Sequence, residues 1–243
     1  MFVSPLLSKP EPECSAWSTN RRTFLRISGS ALAILGFSST AGSVQLFSIP
    51  MGSPIASDDK TAVDLGSGDT GILNYAYALE QLEAAFYTQV ITSPYKNMSS
   101  DERQMLTDIR DHEIVHREFL KAALGANAIP GLQPNFGKIK FKDRTSVLKT
   151  AQTFEDLGVS AYNGAGQLLT SGDFLLLAGK IVSVEARHAA AIRDLLEPRT
   201  GNFAPDAMDP AKSPADVLKA AGPFITTKIN AKNLTASKSA EKM

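Results

Sequence analysis

The stretch DHEIVHREFL, residues 111–120, places Glu113 and His116 three positions apart in a sequence of helical period. A second stretch, SVEARHAAAI, repeats this spacing with Glu185 and His188. The whole chain has only three histidines, and two of them stand in this frame. Residues three apart are neighbours on one face of an α-helix. Apolar residues flank both pairs at helical spacing, which predicts that both pairs face the interior of a helical protein.

A second repeat precedes each Glu-x-x-His pair. Glu80 is followed seven residues later by Tyr87 in EQLEAAFY, and Glu155 is followed seven later by Tyr162 in EDLGVSAY. At about 100° per residue, each Glu and its Tyr share the apolar face of their helix. The chain therefore contains one pattern twice: a Glu and a Tyr on one helix, a turn, and Glu-x-x-His on the next helix. The side chains expected to converge at the centre of the fold are Glu80, Glu113, His116, Glu155, Glu185 and His188.

Helix start and stop signals divide the chain into four long helical segments and one short one. Ser99–Glu102 has the pattern of a capping box, and Asp69 or Thr70 is expected to cap the first segment. Short turns join the helices of each pair, whereas a long connection separates the two pairs. These features predict an all-α fold, a four-helix bundle of two antiparallel hairpins with one long crossover, followed by a short C-terminal helix. The segments are expected at about residues 69–91, 99–125, 143–170, 173–198 and 213–222.

The N-terminal region has the three parts of an export signal, which predicts a signal peptide over residues 1–43. The pair Arg21–Arg22 precedes a short apolar run and small residues, which resembles a twin-arginine signal. Cleavage is expected after Ala41 or Ser43. The further boundaries are expected to be a flexible linker over 44–68, the bundle over 69–198, and a C-terminal extension over 199–243 with a short helix near 213–222 and a fraying tail.

Composition narrows the partners and the compartment. The chain carries 25 basic and 25 acidic residues, so no net positive field indicates binding to nucleic acid. The apolar run of the signal is too short to span a bilayer, so no stable membrane anchor is expected after cleavage. The single cysteine, Cys14, lies in the predicted signal, so the mature protein is expected to lack disulfides and thiol ligands. The predicted location is periplasmic or otherwise extracytoplasmic.

The predicted cluster points to metal. Four carboxylates in an apolar core are strongly unfavourable when their charge is not balanced. Such a cluster either takes up protons or holds cations. Two divalent metals balance four carboxylates, and the two histidines supply neutral nitrogen ligands. Oxygen with imidazole suits iron or manganese, and the lack of cysteine disfavours a thiolate zinc site. The sequence therefore predicts a centre of two metal ions. These ligands suit iron and manganese alike, and iron is the first expectation of the two.

The motifs ALEQLEAAFY, DHEIVHREFL, FEDLGVSAYNGA and VEARHAAAIRDLL resemble those of exported ferritin-like domain proteins related to desiccation-associated proteins. The resemblance covers about residues 69–198 and implies a ferritin-like four-helix bundle with a carboxylate-bridged metal pair. It implies that Glu113 and Glu185 bridge the two metals while Glu80 and Glu155 are terminal ligands. Each histidine of the two Glu-x-x-His pairs would bind one metal.

Four further side chains have open roles. Tyr87 and Tyr162 would orient carboxylates or take part in redox steps, or they simply fill the core. Glu83 also lies on the inner side of the first helix and could replace or supplement Glu80. His112 stands at the edge of its helix's apolar face, so it is predicted to be partly exposed or to neighbour a ligand rather than to bind metal.

The resemblance implies an oxidoreductase that reacts with O₂ or peroxide, either ferroxidase-like with iron or peroxide-removing in the manner of a manganese catalase. The alternative is a non-catalytic metal-binding or stress- and desiccation-protective bundle in which metal contributes to folding. Oxidation of an apolar substrate would require an apolar pocket, which the sequence does not reveal. No catalytic residue is predicted beyond the metal ligands. The oligomeric state stays open, with a homo-oligomer among the possibilities.

Overall fold

The computed structural model describes residues 62–234, which form a mostly helical protein. The helices are α1 (Gly68–Thr92), α2 (Ser100–Leu124), α3 (Arg144–Gly166), α4 (Gly172–Leu196) and the short α5 (Pro214–Ala221), and the strands are β1 (Val63–Asp64) and β2 (Ile229–Asn230). The predicted all-α bundle with a short C-terminal helix is confirmed. The predicted export signal and residues 44–61 of the predicted linker lie outside the described residues, as do residues 235–243.

Side-chain caps begin three of the four long helices. Ser99 and Glu102 form the predicted capping box at the start of α2. Asp143 caps α3 and Ser171 caps α4, each by accepting a backbone N–H of the first turn. The prediction that Asp69 or Thr70 caps α1 is wrong, because α1 begins after Ser67 without a side-chain cap.

The four long helices form two hairpins, α1 with α2 and α3 with α4, joined by the long connection between Leu124 and Arg144. Polar contacts tie the hairpins together at both ends of the bundle. At one end, the Asp69 carboxylate accepts hydrogen bonds from the backbone N–H groups of Thr170 and Ser171, both at 2.8 Å. At the other end, the guanidinium of Arg144 donates to Glu102 and to the backbone oxygen of Leu195, both at 2.7 Å.

The C-terminal extension closes over the bundle and the crossover. β2 pairs in parallel with β1, and Leu65 and Leu234 beside these strands are buried. The backbone N–H of Lys212 donates to the carbonyl oxygen of Ser160 on α3 at 2.9 Å. The backbone N–H of Thr226 in the extension donates to the carbonyl oxygen of Gln133 in the crossover, at 2.8 Å. The prediction that this tail frays is therefore wrong as far as Leu234.

Aromatic rings seal the core where the crossover passes over the bundle. Phe86 on α1 makes edge contacts with Phe154 on α3 at 5.1 Å and with Phe136 of the crossover at 6.0 Å, both measured between ring centroids. Phe224 of the extension stacks edge-on against Phe154 at 4.8 Å. Within residues 62–234, no helix is both long and apolar enough to cross a membrane.

Candidate metal centre

The four long helices each deliver ligand-type side chains to one level in the centre of the bundle. α1 and α3 contribute one glutamate each, whereas α2 and α4 contribute a glutamate and a histidine each. The four glutamates are at most 1% exposed, and His116 and His188 are 9% and 5% exposed. All six residues identified by the sequence repeat are thus brought together: Glu80, Glu113, His116, Glu155, Glu185 and His188.

The cluster divides into two groups, each with ligand-type atoms within 4.8 Å of one another. The first half-site consists of Glu80, Glu113, His116 and Glu185. In it, Nδ1 of His116 lies 2.8 Å from Oε1 of Glu185, 3.5 Å from Oε2 of Glu113 and 3.6 Å from Oε2 of Glu80. The residues of this half-site therefore come from α1, α2 and α4.

The second half-site consists of Glu113, Glu155, Glu185 and His188. Nδ1 of His188 lies 2.8 Å from Oε1 of Glu113, 3.2 Å from Oε2 of Glu185 and 3.4 Å from Oε2 of Glu155. Glu113 and Glu185 belong to both half-sites, and each presents one oxygen to either imidazole. Two metal ions held in these half-sites would therefore share both carboxylates.

The ligand-type atoms that face the centre of the cluster are better placed to coordinate cations than to hydrogen-bond to one another. Imidazole and carboxylate atoms approach to 2.8 Å, yet no well-aligned hydrogen bond forms at six buried atoms: both oxygens of Glu113, Oε2 of Glu80, Oε2 of Glu155, Oε1 of Glu185 and Nδ1 of His116. Buried polar groups nearly always have well-aligned hydrogen bonds, so such a concentration of buried atoms without them favours an ion. Two ligand atoms at about 2.1 Å from a metal and at right angles are about 3 Å apart. The separations of 2.8–3.6 Å around His116 match that geometry.

Burial and mutual repulsion set the charge of the cluster. Burial, followed by the neighbouring Glu185, raises the pKa of Glu113 well above its usual value, and burial likewise raises the pKa of Glu155. Burial acts to lower the pKa of His188, but Glu155 and the other carboxylates outweigh it and raise the pKa to about 12. Burial acts to raise the pKa of Glu185, yet the nearby imidazoles lower it to about 2. Protons or cations must therefore balance the carboxylates.

The two tyrosines of the repeat hold the carboxylates of the opposite hairpin. The Tyr87 hydroxyl on α1 donates to Oε1 of Glu155 on α3. The Tyr162 hydroxyl on α3 donates to Oε1 of Glu80 on α1, at 2.5 Å. Burial, followed by the bonded carboxylate, raises both tyrosine pKa values well above the usual range, so both hydroxyls stay protonated donors. Each bond turns the other carboxylate oxygen towards the centre, which favours orientation over simple core filling.

Glu83 and His112 lie next to the two groups without belonging to either. Glu83 is 4% exposed, and burial, then Glu113 and the other carboxylates, raise its pKa well above the usual value. A Cβ added at Gly158 on α3 would lie 3.2 Å from Oε1 of Glu83, so the glycine makes room for this side chain. His112 is exposed, and its Nδ1 lies 2.9 Å from Nε2 of His188 with the rings stacked at 5.2 Å.

Two cavities near the cluster escaped prediction from the sequence. A solvent-open cleft between α2 and α4 reaches His188 and is lined by polar residues that include Asp101, Asp108 and Arg187. A narrow apolar pocket lies on the opposite side of the ligand layer and includes Tyr162 in its lining. A helical wheel gives the direction of each side chain but not the gap between helices. The sequence therefore could not predict either cavity.

Comparison with known families gives one match. A family model described as a ferritin-like domain matches residues 68–198, which is more than half of the chain. The matched region begins with α1 and ends just after α4, so it contains all six residues of the cluster. No curated protein matches the sequence.

Proposed function

Because the chain belongs to the ferritin-like domain family, we propose that its cluster binds two metal ions, iron in preference to manganese, and reacts with O₂ or peroxide. The observation that carries the proposal is the set of buried ligand atoms without well-aligned hydrogen bonds, divided into two groups that share Glu113 and Glu185. Oxygen and imidazole ligands suit iron or manganese. When bound, such a metal pair supplies reversible redox chemistry towards O₂ or peroxide.

The chain's own residues prepare this chemistry by position and charge. Glu113 and Glu185 each offer one oxygen to either half-site, while Glu80 and Glu155 each offer their free oxygen to one. The four carboxylates together balance two divalent cations. Tyr87, as a protonated donor to Glu155, fixes the direction of that carboxylate, and the four carboxylates stay buried within the core.

Access favours small hydrophilic reactants at one end of the cluster. The cleft between α2 and α4 opens to solvent and reaches the imidazole of His188. Metal ions and peroxide need a polar path because both are strongly hydrated. The acidic side chains of Asp101 and Asp108 at this cleft suit the approach of cations, although they also hold other contacts.

The direct test is elemental analysis of the full chain purified from its native compartment, with an assay of O₂ and peroxide consumption. We expect two metal ions per chain and consumption of one of the two oxidants. The combined substitution of His116→Ala and His188→Ala should remove most of the metal, whereas the exposed control Glu118→Gln should retain it. Unchanged metal content in the histidine double variant would contradict the ligand assignment.

The second candidate is a metal-binding bundle without turnover, in a stress- or desiccation-protective role. The same buried charges favour it, because cations that neutralise them stabilise the folded state whether or not they react. Metal at full occupancy, a lower melting temperature after chelation and no consumption of O₂ or peroxide would establish this candidate over the first. Oxidant consumption that follows metal content would exclude it.

We also propose export by a twin-arginine signal, which rests on the sequence of residues 1–43 alone. Replacing Arg21 and Arg22 together by Lys should retain the protein in the cytoplasm, because recognition of this signal depends on the arginine pair. The nearby substitution Arg26→Lys is the matched control and should leave export intact. Cell fractionation measures both, and unchanged export of the double variant would overturn the proposal.

A further inference from the structure

The narrow apolar pocket adjoins the first half-site. Its lining includes Ala76, Leu120 and Ile181. Ala76 and Ile181 each stand four residues before a glutamate of this half-site, and Leu120 stands four residues after His116. Four residues make about one helical turn, or about 5.4 Å. A molecule in the pocket would therefore lie beside the ligand layer, close to the first half-site.

The size of the pocket limits its guest to a very small molecule. Its cavity volume is about 30 Å³. One water molecule requires about 10–15 Å³ of such volume, so the pocket has room for a molecule of two heavy atoms but not for an organic substrate. The pocket approaches the surface between α2 and α4, where Phe119 in its lining is 40% exposed and Ala123 is exposed. These two residues mark the mouth through which a small molecule would enter.

The polarity of the lining decides which small molecule fits. Tyr75 and Tyr162 bring the only polar side-chain atoms to the pocket. The hydroxyl of Tyr162 is engaged, since it donates to Glu80, so only the buried hydroxyl of Tyr75 is left for a guest. A buried water molecule typically has two to four polar partners, so one hydroxyl is too few for water or for hydrogen peroxide. Molecular oxygen needs no hydrogen-bond partner, and it leaves water for an apolar site without such a loss.

The two cavities therefore suit different molecules on the two sides of the ligand layer. The solvent-open cleft reaches His188 of the second half-site and is lined by charged side chains that include Asp101 and Arg187. Ions and peroxide keep polar partners along such a surface. The apolar pocket lies on the side of the first half-site and offers almost none. Tyr162 stands between this pocket and the ligands, since it lines the pocket and holds Glu80.

From these features we propose that the apolar pocket is a binding site for molecular oxygen, from which O₂ reaches the first half-site, whereas peroxide approaches through the cleft. The binding of O₂ depends on the size and polarity of the pocket alone. The delivery of O₂ to the metal ligands deepens the proposed function and rests on it. The pocket thereby separates an apolar oxidant from a polar one before either meets the cluster.

NMR relaxation of the full chain under O₂ pressure tests whether O₂ occupies the pocket. The protein is supplied with Zn²⁺, which has no redox chemistry, and N₂ at equal pressure is the reference. O₂ is paramagnetic, so it accelerates the relaxation of nearby methyl groups. We expect at least about threefold more acceleration at Ala76, Leu120 and Ile181 than at buried residues outside the pocket, because a dry apolar cavity takes up apolar guests. The reference residues are Leu106 and Ile192, both 0% exposed, and equal acceleration at both sets would overturn the proposal.

Variants that obstruct the pocket then locate the bound O₂. Ala178 lines the pocket from α4 and is half-buried, so Ala178→Leu should fill the space and abolish the extra acceleration at the pocket residues. Ala190→Leu, half-buried on the same helix but in the lining of neither cavity, should leave it unchanged. Ala123→Leu obstructs the exposed mouth without altering the core, and it should reduce the acceleration as well. Unchanged acceleration in Ala178→Leu and Ala123→Leu would place O₂ elsewhere and overturn the proposal.

Oxidant consumption by the iron- or manganese-loaded protein tests delivery. Ala178→Leu should slow the consumption of O₂ relative to that of peroxide by at least about threefold, because an obstructed path lowers the association rate. Equal slowing with both oxidants would overturn delivery through the pocket. A wild type that shows O₂ in the pocket but consumes neither oxidant would retain the O₂ site and overturn only the proposed function. Oxidant consumption without an O₂ signal in the pocket would overturn only the present inference.

Discussion

The first and second half-sites present the same ligands in different surroundings. Each has one terminal glutamate, one histidine and one oxygen from each shared glutamate. The imidazole of His188 contacts His112 and a solvent-open cleft, whereas the side of His116 adjoins the apolar pocket. The ligands are alike because charge balance permits few alternatives in an apolar core. Charge balance does not constrain the residues around the ligands, and these residues differ between the two hairpins.

Three pairs of repeat-related positions mark this divergence. The repeat aligns Glu80 with Glu155, so it also aligns Glu83 with Gly158 and Gln89 with Gly164. On the other two helices it aligns His112 with Val184. In each pair one residue makes a specific contact that its counterpart lacks. Substitutions at such pairs separate the roles of the two hairpins.

The largest expected effect concerns the glutamates shared by both half-sites. Glu113→Gln should weaken metal binding in both half-sites by at least about 100-fold, because it removes a charged ligand from each. Glu155→Gln should weaken only the second half-site and leave one metal per chain. Metal titration with elemental analysis measures both variants. Equal losses in the two variants would contradict the division into half-sites with a shared bridge.

The second effect concerns the C-terminal extension, which packs against α3 of the second hairpin. A Cβ added at Gly164 would lie 1.8 Å from the carbonyl oxygen of Lys212, a backbone atom that cannot move aside alone. Gly164→Ala should therefore displace the extension and lower the free energy of unfolding by about 1–3 kcal/mol. Gln89→Ala, at the exposed counterpart on α1, should change it by less than about 0.5 kcal/mol.

Chemical denaturation of both alanine variants measures this difference. A Gly164→Ala protein as stable as the wild type would mean that Lys212 does not pack against α3 in solution. Protease sensitivity of the extension provides an independent readout, because displacement of this segment exposes its backbone.

The third effect concerns His112, which is expected to influence metal binding only in the second half-site. Its contact with Nε2 of His188 leaves Nδ1 of that imidazole facing the carboxylates. His112→Ala should weaken metal binding in the second half-site by about tenfold, the usual effect of removing such a partner. Val184→Ala, at the matching position of α4, should leave both half-sites unchanged. Equal metal affinities in the two variants would assign His112 a role in packing alone.

The sequence predicted the ligand cluster because its polar residues interrupt apolar helical faces at matched positions. Glu80 and Glu155 could be placed by helical period, and the hairpins by capping signals and turn lengths. The crossed bonds from Tyr87 to Glu155 and from Tyr162 to Glu80 could not, because a helical period does not state which helix lies opposite. The pairing of β1 with β2 was also missed, since strands of two residues carry no periodic signal and their contact is remote in sequence.

The smallest effect concerns Asp69, which ties the start of the first hairpin to the turn of the second. Partial burial acts to raise the pKa of Asp69, but hydrogen bonds from Thr170 and Ser171 outweigh it and lower the pKa below its usual 3.8. The contact therefore stabilises the fold above pH 3.8, the unfolded value, and this contribution is lost as the pH falls through the lower folded pKa.

Asp69→Asn should lower the free energy of unfolding at pH 7 by less than about 1 kcal/mol, since the carboxylate is partly exposed and screened. The difference from the wild type should shrink as the pH falls below 3.8, because the wild-type carboxylate is then protonated as well. Urea denaturation at neutral and acid pH measures it, with the exposed Asp173→Asn on α4 as the control for loss of charge alone. A difference that stays constant with pH would show that the ionised carboxylate contributes nothing, and that the hairpins are held at this end by apolar packing.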